Sequence, residues 1–256
     1  MVSIEAQADA LAHARKSGTV LPDLPGPVPA TVEEAYRLQR AVQEAMGEPT
    51  CGWKIGATNR AIQEAIGTSE PFFGPLYAPR CHTLGATLPV ADGLLGIECE
   101  FAFRLAHPLP PRSAAYAPDE VAAAVASLHP AIELVGLRLP PTAFRDARWC
   151  IADHALSVAF VAGDAITDWR ALDLPALAVH SIINGTEVAT GRGAAVLGNP
   201  LVALTWLANA LSRRGLGLRA DDWVSTGTST GIQTVQPGDA VEAVFDRIGR
   251  VRANFA

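Results

Sequence analysis

Positive charge is scarce in this chain. Over 256 residues, Lys and Arg number 20 against 26 Asp and Glu, a formal net charge of −6. A nucleic-acid binder needs a basic face that displaces counterions, and an anionic membrane surface asks for the same. Neither partner is expected. Long apolar runs are missing as well. Stretches such as 121–128 and 155–163 fall far short of the ~20 residues that cross a bilayer. The opening MVSIEAQADALAHARKSG carries Glu5 and Asp9 where a secretion signal would be apolar. Cysteine is sparse: Cys51, Cys81, Cys99 and Cys150, with no CxxC pair. That usage fits a reduced, cytoplasmic protein whose thiols are small buried hydrophobes. There is no G-x-S-x-G for a serine triad. No Gly-Lys-Ser/Thr follows the 225–231 loop, which excludes a Walker site. Gly191-Arg192-Gly193 lacks the third glycine of a dinucleotide fingerprint and reads as a turn.

What is present is core-forming material. Apolar residues make up 49% and charged residues 18%, which excludes disorder and predicts one large domain or two small ones. Residues 4–16 read as a helix stopped by Gly18. After the proline-rich 21–30 link, Thr31 and Glu34 form a capping box ahead of an Ala35, Leu38, Val42, Met46 stripe that Gly47 ends. A short helix is expected over 60–66, between Asn59 and Gly67. Further on the reading is strands at 96–103 and 131–137, a helix over 119–128 ended by Pro130, and a hairpin over 179–190 around Asn184-Gly185. A helix opens at Asn199-Pro200, and strands follow at 222–226, 240–246 and 251–255. Helices and strands do not alternate regularly, so the fold class is α+β. The expected division is a mainly helical region, 1–85, followed by a β-rich region, 86–256.

GIECEFAF is the most informative segment. Strand alternation puts Glu98 and Glu100 on one face and Ile97, Cys99, Phe101 and Phe103 on the other. The two carboxylates then stand roughly 7 Å apart. Like charges that close repel, and burial would raise their pKa values. A divalent cation relieves the conflict, and carboxylate oxygens select Mg²⁺, Mn²⁺ or Ca²⁺ over Zn²⁺. The alternative is a solvated face of an edge strand. Glu133, in HPAIELVG, has apolar neighbours throughout and needs a partner, either a metal or a cation such as Arg138. Lys54, in CGWKIGATN, is either a surface strand residue or a site lysine whose pKa is lowered and which shuttles protons. Ser225, Thr226, Gly227 and Thr228 open a hydroxyl-rich loop that suits an anionic group or is an ordinary turn. Among the six histidines His154 is the one to test, and His129 reads as packing or a cap.

GWKIGATN, GIECEFAF, HPAIELVGLR, IADH, TGRGAAVLGNPLVALTWLANAL and the closing GD-x-V-x-A-x-F-x-x-x-G-x-V run occur in this order. Together they resemble the 2-oxopent-4-enoate hydratase and 4-oxalocrotonate decarboxylase family, part of the fumarylacetoacetate hydrolase superfamily. The resemblance spans roughly residues 31–255. It implies a helical N-terminal region before a β-rich catalytic domain, and a Mg²⁺ or Mn²⁺ site at Glu98, Glu100 and Glu133. It also implies an active-site lysine at Lys54, a small 2-oxo acid as substrate, and a homo-oligomer, with a neighbouring pathway enzyme as a further partner. Asp153 and His154 fall on the family's A-D-N motif and are expected to be catalytic.

Three segments depart from the family pattern. Pro71-Phe72-Phe73-Gly74 lacks the acid that hydratases carry after the lysine motif, which tilts the reading slightly towards decarboxylation or an unassigned activity. Ala152-Asp153-His154 has histidine for asparagine, and Gly136-Leu137-Arg138 is a partial match. The implied activity is a metal-dependent lyase, a hydratase or a decarboxylase, acting through an enolate at the C2 oxygen. The alternatives are an acylpyruvate-type C–C hydrolase and a non-catalytic companion subunit.

Overall fold

The computed structural model describes residues 2–256. In chain order the helices are α1 (Ile4–Ser17), α2 (Val32–Met46), α3 (Arg60–Ile66), α4 (Pro118–Ala123), α5 (Ala147–Ala152) and α6 (Pro200–Ser212). The strands are β1 (Thr50–Gly56), β2 (Phe72–Tyr77), β3 (Cys81–Thr83), β4 (Ala86–Leu88), β5 (Leu94–Leu105), β6 (Val125–Gly136), β7 (Ser157–Ala162), β8 (Ala178–Ile183), β9 (Thr186–Arg192), β10 (Trp223–Thr228), β11 (Ala240–Phe245) and β12 (Gly249–Phe255). They form two mixed sheets, a seven-stranded β2-β1-β10-β5-β6-β7-β3 and a five-stranded β4-β12-β11-β8-β9. The class is α+β, as expected.

The local signals are realised where they are self-contained. Thr31 Oγ1 accepts from the Glu34 N–H, Asn59 caps α3, and Gly18, Gly47 and Gly67 end their helices in the left-handed conformation. Glu34 reaches back to the Ala30 N–H, one residue earlier than a capping box requires. Asn184-Gly185 joins β8 to β9. Two expectations are corrected. The helix expected over 119–128 stops at Ala123, and residues from Val125 onward are strand. Pro130 does not end a helix; it lies within β6 opposite Phe101. The alanine-rich 122–126 stretch favours helix locally, but pairing with β5 along the length of β6 overrides it. Within 1–85, α1, α2 and α3 are accompanied by β1 and β2 of the seven-stranded sheet, β1 running parallel beside β10.

The face of β5 that carries Ile97, Cys99, Phe101 and Phe103 is fully buried, and Phe101 meets Phe245 of the second sheet edge-on at 5.1 Å. The opposite face carries the polar site. One apolar stretch, Gly193–Ser212, is long enough by composition to cross a membrane. Its helical part is the 13-residue α6, about 20 Å long against a hydrocarbon core of about 30 Å. Ala203, Leu204, Leu207 and Leu211 of that helix are fully buried in the protein.

Candidate active site and metal centre

β5 and β6 pair with Glu98 directly opposite Glu133, so antiparallel register brings together side chains 35 positions apart. Glu100 lies two residues along on the same face. Each of the three carboxylates offers an oxygen within 4.8 Å of the others. Glu100 and Glu133 are fully buried, and Glu98 borders a cavity. Lys54 reaches in from β1, across β10. Its Nζ lies 3.1 Å from Glu133 Oε2 and 4.0 Å from Glu98 Oε2, and donates to the Ala155 carbonyl at 3.0 Å. With all four groups ionised, three carboxylates and one ammonium leave a charge of −2.

Burial and the neighbouring carboxylates push the Glu100 carboxyl up to about 8. Glu98 and Glu133 also stand above the usual range, because burial outweighs the attraction of Lys54. Lys54 departs from the sequence expectation. Burial presses its ammonium down, but Glu133, Glu98 and Glu100 outweigh burial and hold its pKa above the ordinary lysine value. Glu133 pairs with Lys54 and not with Arg138, which instead donates to the Gly18 and Asp92 carbonyls. One oxygen of Glu100 accepts from Ser225 Oγ at 2.6 Å and from the Gly227 N–H at 2.8 Å. Its Oε1, like Glu133 Oε1, has no hydrogen-bond partner. Buried carboxylate oxygens without donors, in a cluster short of two positive charges, fit a hard divalent cation.

The cavity beside the cluster is about 230 Å³. Ile62, Ile66, Phe72, Val135, Phe144 and Ile232 supply apolar wall; Thr58, Asn59, Thr228 and Ser229 supply polar edge. Gly227 and Thr228 line this cavity. Ser225 and Thr226 do not: both are fully buried, Ser225 bound to Glu100 and Thr226 to the Phe101 carbonyl at 2.8 Å. Gly227 has φ +103°, and a Cβ there would meet Thr58 Oγ1 at 2.3 Å, so the loop requires glycine. Ser229, not singled out from the sequence, lines the cavity with a buried hydroxyl that has no partner.

Asp153 and His154, expected to be catalytic, do not reach the cavity. Both are fully buried. Asp153 is paired with Arg15 and accepts from the Arg138 N–H at 2.7 Å. His154 Nε2 lies 3.2 Å from the Gln39 carbonyl, which can only accept, so Nε2 carries the proton and Nδ1 accepts from Tyr77 O–H at 3.2 Å. Burial, with Arg15 nearby, holds the ring neutral, its pKa well below the ordinary histidine value. Both ring nitrogens are engaged within the protein. These contacts hold His154, Ala155 and Leu156 in three successive left-handed conformations, φ 54°, 52° and 67°. Each costs about 1–2 kcal/mol for a non-glycine residue. The turn aims the Ala155 carbonyl at Lys54. Gly74 of β2 gives it room, since a Cβ there would lie 2.2 Å from the His154 carbonyl oxygen.

Arg15 and Gln39, missed in sequence, had a signal. Ala8, Leu11, Ala12 and Arg15 follow the i, i+3, i+4, i+7 pattern, as do Ala35, Leu38, Gln39 and Val42. A polar residue on an apolar stripe asks for a buried partner.

Residues 33–256 match the family described as Fumarylacetoacetate (FAA) hydrolase C-terminal. The chain is 33% identical to a 2-keto-4-pentenoate hydratase of Paraburkholderia xenovorans LB400 over 98% of its own length and 94% of the relative's. It is 31% identical to a 2-hydroxyhexa-2,4-dienoate hydratase of Comamonas testosteroni, over 98% and 97%. The 4-oxalocrotonate decarboxylase of Pseudomonas putida G7, solved with magnesium and adipate, superposes with a TM-score of 0.89 at 28% identity, covering 99% of this chain and 97% of that one. Fold, site geometry and likeness over nearly the full length agree: this chain belongs to the fumarylacetoacetate hydrolase family, among its metal-dependent hydratases and decarboxylases.

Proposed function

We propose that this chain hydrates a 2-hydroxy-2,4-dienoate whose far end is uncharged. One observation carries the choice. Among the described residues Lys54 is the only cationic side chain lining the cavity, it is already engaged by Glu133, and the remaining wall is largely apolar. A dicarboxylic substrate would bring a second carboxylate into that wall with no cation to meet it, at the cost of burying an unpaired charge.

Glu98, Glu100 and Glu133 would hold Mg²⁺ or Mn²⁺. When bound, such an ion supplies Lewis acidity towards the C1 carboxylate and C2 oxygen of the substrate. Lys54 holds its proton at Nζ, fixed by the Ala155 carbonyl and Glu133. It gives that proton to C5 of the dienol as the enol O–H proton leaves to solvent, takes one back from the water that adds at C4, and the resulting enolate is protonated at C3 from solvent. Phe72 supplies wall and no proton, so transfer rests on Lys54. Ser229 offers its free hydroxyl to the substrate or the entering water. No histidine among the described residues lines the cavity. A hydrolase of acylpyruvates, which would use a histidine-based activator of water, is therefore disfavoured.

Decarboxylation is the second reading, favoured by Phe72 and by the likeness to the decarboxylase. Ultraviolet decay of freshly generated 2-hydroxypenta-2,4-dienoate decides between them. Fast decay in Mg²⁺, absent in EDTA, is expected. Slow decay together with CO₂ release from 4-oxalocrotonate would assign decarboxylation instead.

A further inference from the structure

Behind the left-handed turn lies a second cavity, of about 350 Å³, that shares no lining residue with the first. Arg15, Lys16, Arg80 and Arg138 line it, and among the described residues no carboxylate does. Arg15 and Arg138 are 5% and 3% exposed; Arg15 pairs with the buried Asp153, while Arg138 meets that carboxylate only through its backbone N–H and its guanidinium donates to the Gly18 and Asp92 carbonyls. Arg80 is held by Glu48 through two long contacts of 3.3 Å. Asp92 offers Arg138 its carbonyl while its side chain stays in solvent. Lys16 caps the Ala45 carbonyl. Four cations thus face three carboxylates, Asp153, Glu48 and Asp92. Burial and the neighbouring guanidiniums press Arg138 below the usual arginine range. A buried guanidinium short of a counter-charge is costly, and a carboxylate or phosphate accepting two N–H bonds is the ligand its fork fits. Leu88, Leu134 and Val158 make much of the remaining wall apolar.

We propose that this second cavity binds a small organic monocarboxylate, its carboxylate on Arg80 and Arg138 and its carbon chain against Leu88, Leu134 and Val158. The apolar wall favours an organic acid over inorganic phosphate. The site stands whether the first cavity hydrates or decarboxylates.

Isothermal titration of the full chain with sodium pentanoate tests it, in Mg²⁺ and again in EDTA. In EDTA the first cavity is negatively charged and repels a carboxylate, so saturable binding of one pentanoate per chain reports the second. Arg80→Gln is expected to weaken that binding about tenfold, the scale of a charge-assisted hydrogen bond. Ala91→Asp, on a partly exposed wall position, supplies a competing carboxylate and is expected to abolish binding with the melting temperature retained. If Arg80→Gln fails to fold, Ala91→Asp carries the test. Absence of saturable binding, or equal affinity in wild type and Ala91→Asp, overturns the site. Tighter binding of inorganic phosphate than of pentanoate overturns the organic-acid assignment.

Discussion

Two buried charge clusters lie on either side of the turn at His154–Leu156. In front, Glu98, Glu100 and Glu133 face one cation, Lys54. Behind, Arg15 pairs with Asp153, which Arg138 meets only through its backbone N–H. The front cluster is short of positive charge and leaves carboxylate oxygens without donors; it is built to be completed from outside. In the back cluster Asp153 has a donor for each of its oxygens, and its visible task is mechanical. It holds a strained turn whose carbonyl orients Lys54. A surplus of charge that a ligand can satisfy is the mark of a binding site, and each side carries one, negative in front and positive behind at Arg80 and Arg138; the satisfied Arg15–Asp153 pair between them braces backbone.

The largest effect expected from breaking this contrast is at Glu100. Glu100→Gln keeps an acceptor for Ser225 and Gly227 but removes a charge. Metal-dependent turnover should fall by at least about 10²–10³-fold, the scale on which electrostatic stabilisers act. The metal-free protein should melt higher, because one of three repelling carboxylates is gone. Steady-state rates and a melt in EDTA check both halves. Behind the turn, Arg15→Met should act through stability. Leaving a buried aspartate without its partner costs about 3–5 kcal/mol, read by urea unfolding, with Mn²⁺ affinity changed far less.

pH acts on the front cluster and on His154 with opposite signs. Glu100 is raised from 4.5 to about 8 in the folded state, and Glu98 and Glu133 are raised with it. A folded-state pKa above the unfolded one means stability that is full below about 4.5 and lost as pH rises towards 8. In EDTA the melting temperature should therefore fall from pH 5 to pH 8, and saturating Mg²⁺ should flatten the slope. His154 runs the other way. Its lowered pKa gives stability that is full above 6.5 and lost on acidification, so His154→Gln should remove part of the loss below that pH. The smallest effect expected is at Ser229. Ser229→Ala should raise KM several-fold and leave the melting temperature unchanged, the scale of one neutral hydrogen bond.

The same contrast explains what was legible in the sequence. The front cluster follows from alternation. Glu98 and Glu100 share a face because a strand has period two, and Glu133 was conspicuous for its apolar neighbours. The capped helices and the Asn184-Gly185 hairpin were readable because their signals lie within a few residues. The back cluster is made by contacts that span the chain: Arg15 meets Asp153 across 138 positions. Asp153 and His154 sit beside cavity-lining Ala155 and Leu156, yet their side chains are turned away. Proximity in sequence therefore suggested a place at the site that the burial of these side chains does not give them. Ser225 and Thr226 misled in the same way, since their hydroxyls serve Glu100 and the Phe101 carbonyl. The strand over 125–128 was hidden by an alanine-rich segment whose local preference the long β5–β6 ladder overrides.

Mn²⁺ titration of the full chain followed by electron paramagnetic resonance tests the front cluster most directly. One tightly bound Mn²⁺ per chain, displaced by Mg²⁺, is expected for the wild type. That ion should be lost in Glu133→Gln and retained in Arg15→Met if the variant remains folded. Wild-type protein that binds no Mn²⁺, or Glu133→Gln that binds it with unchanged affinity, would contradict a metal centre at Glu98, Glu100 and Glu133.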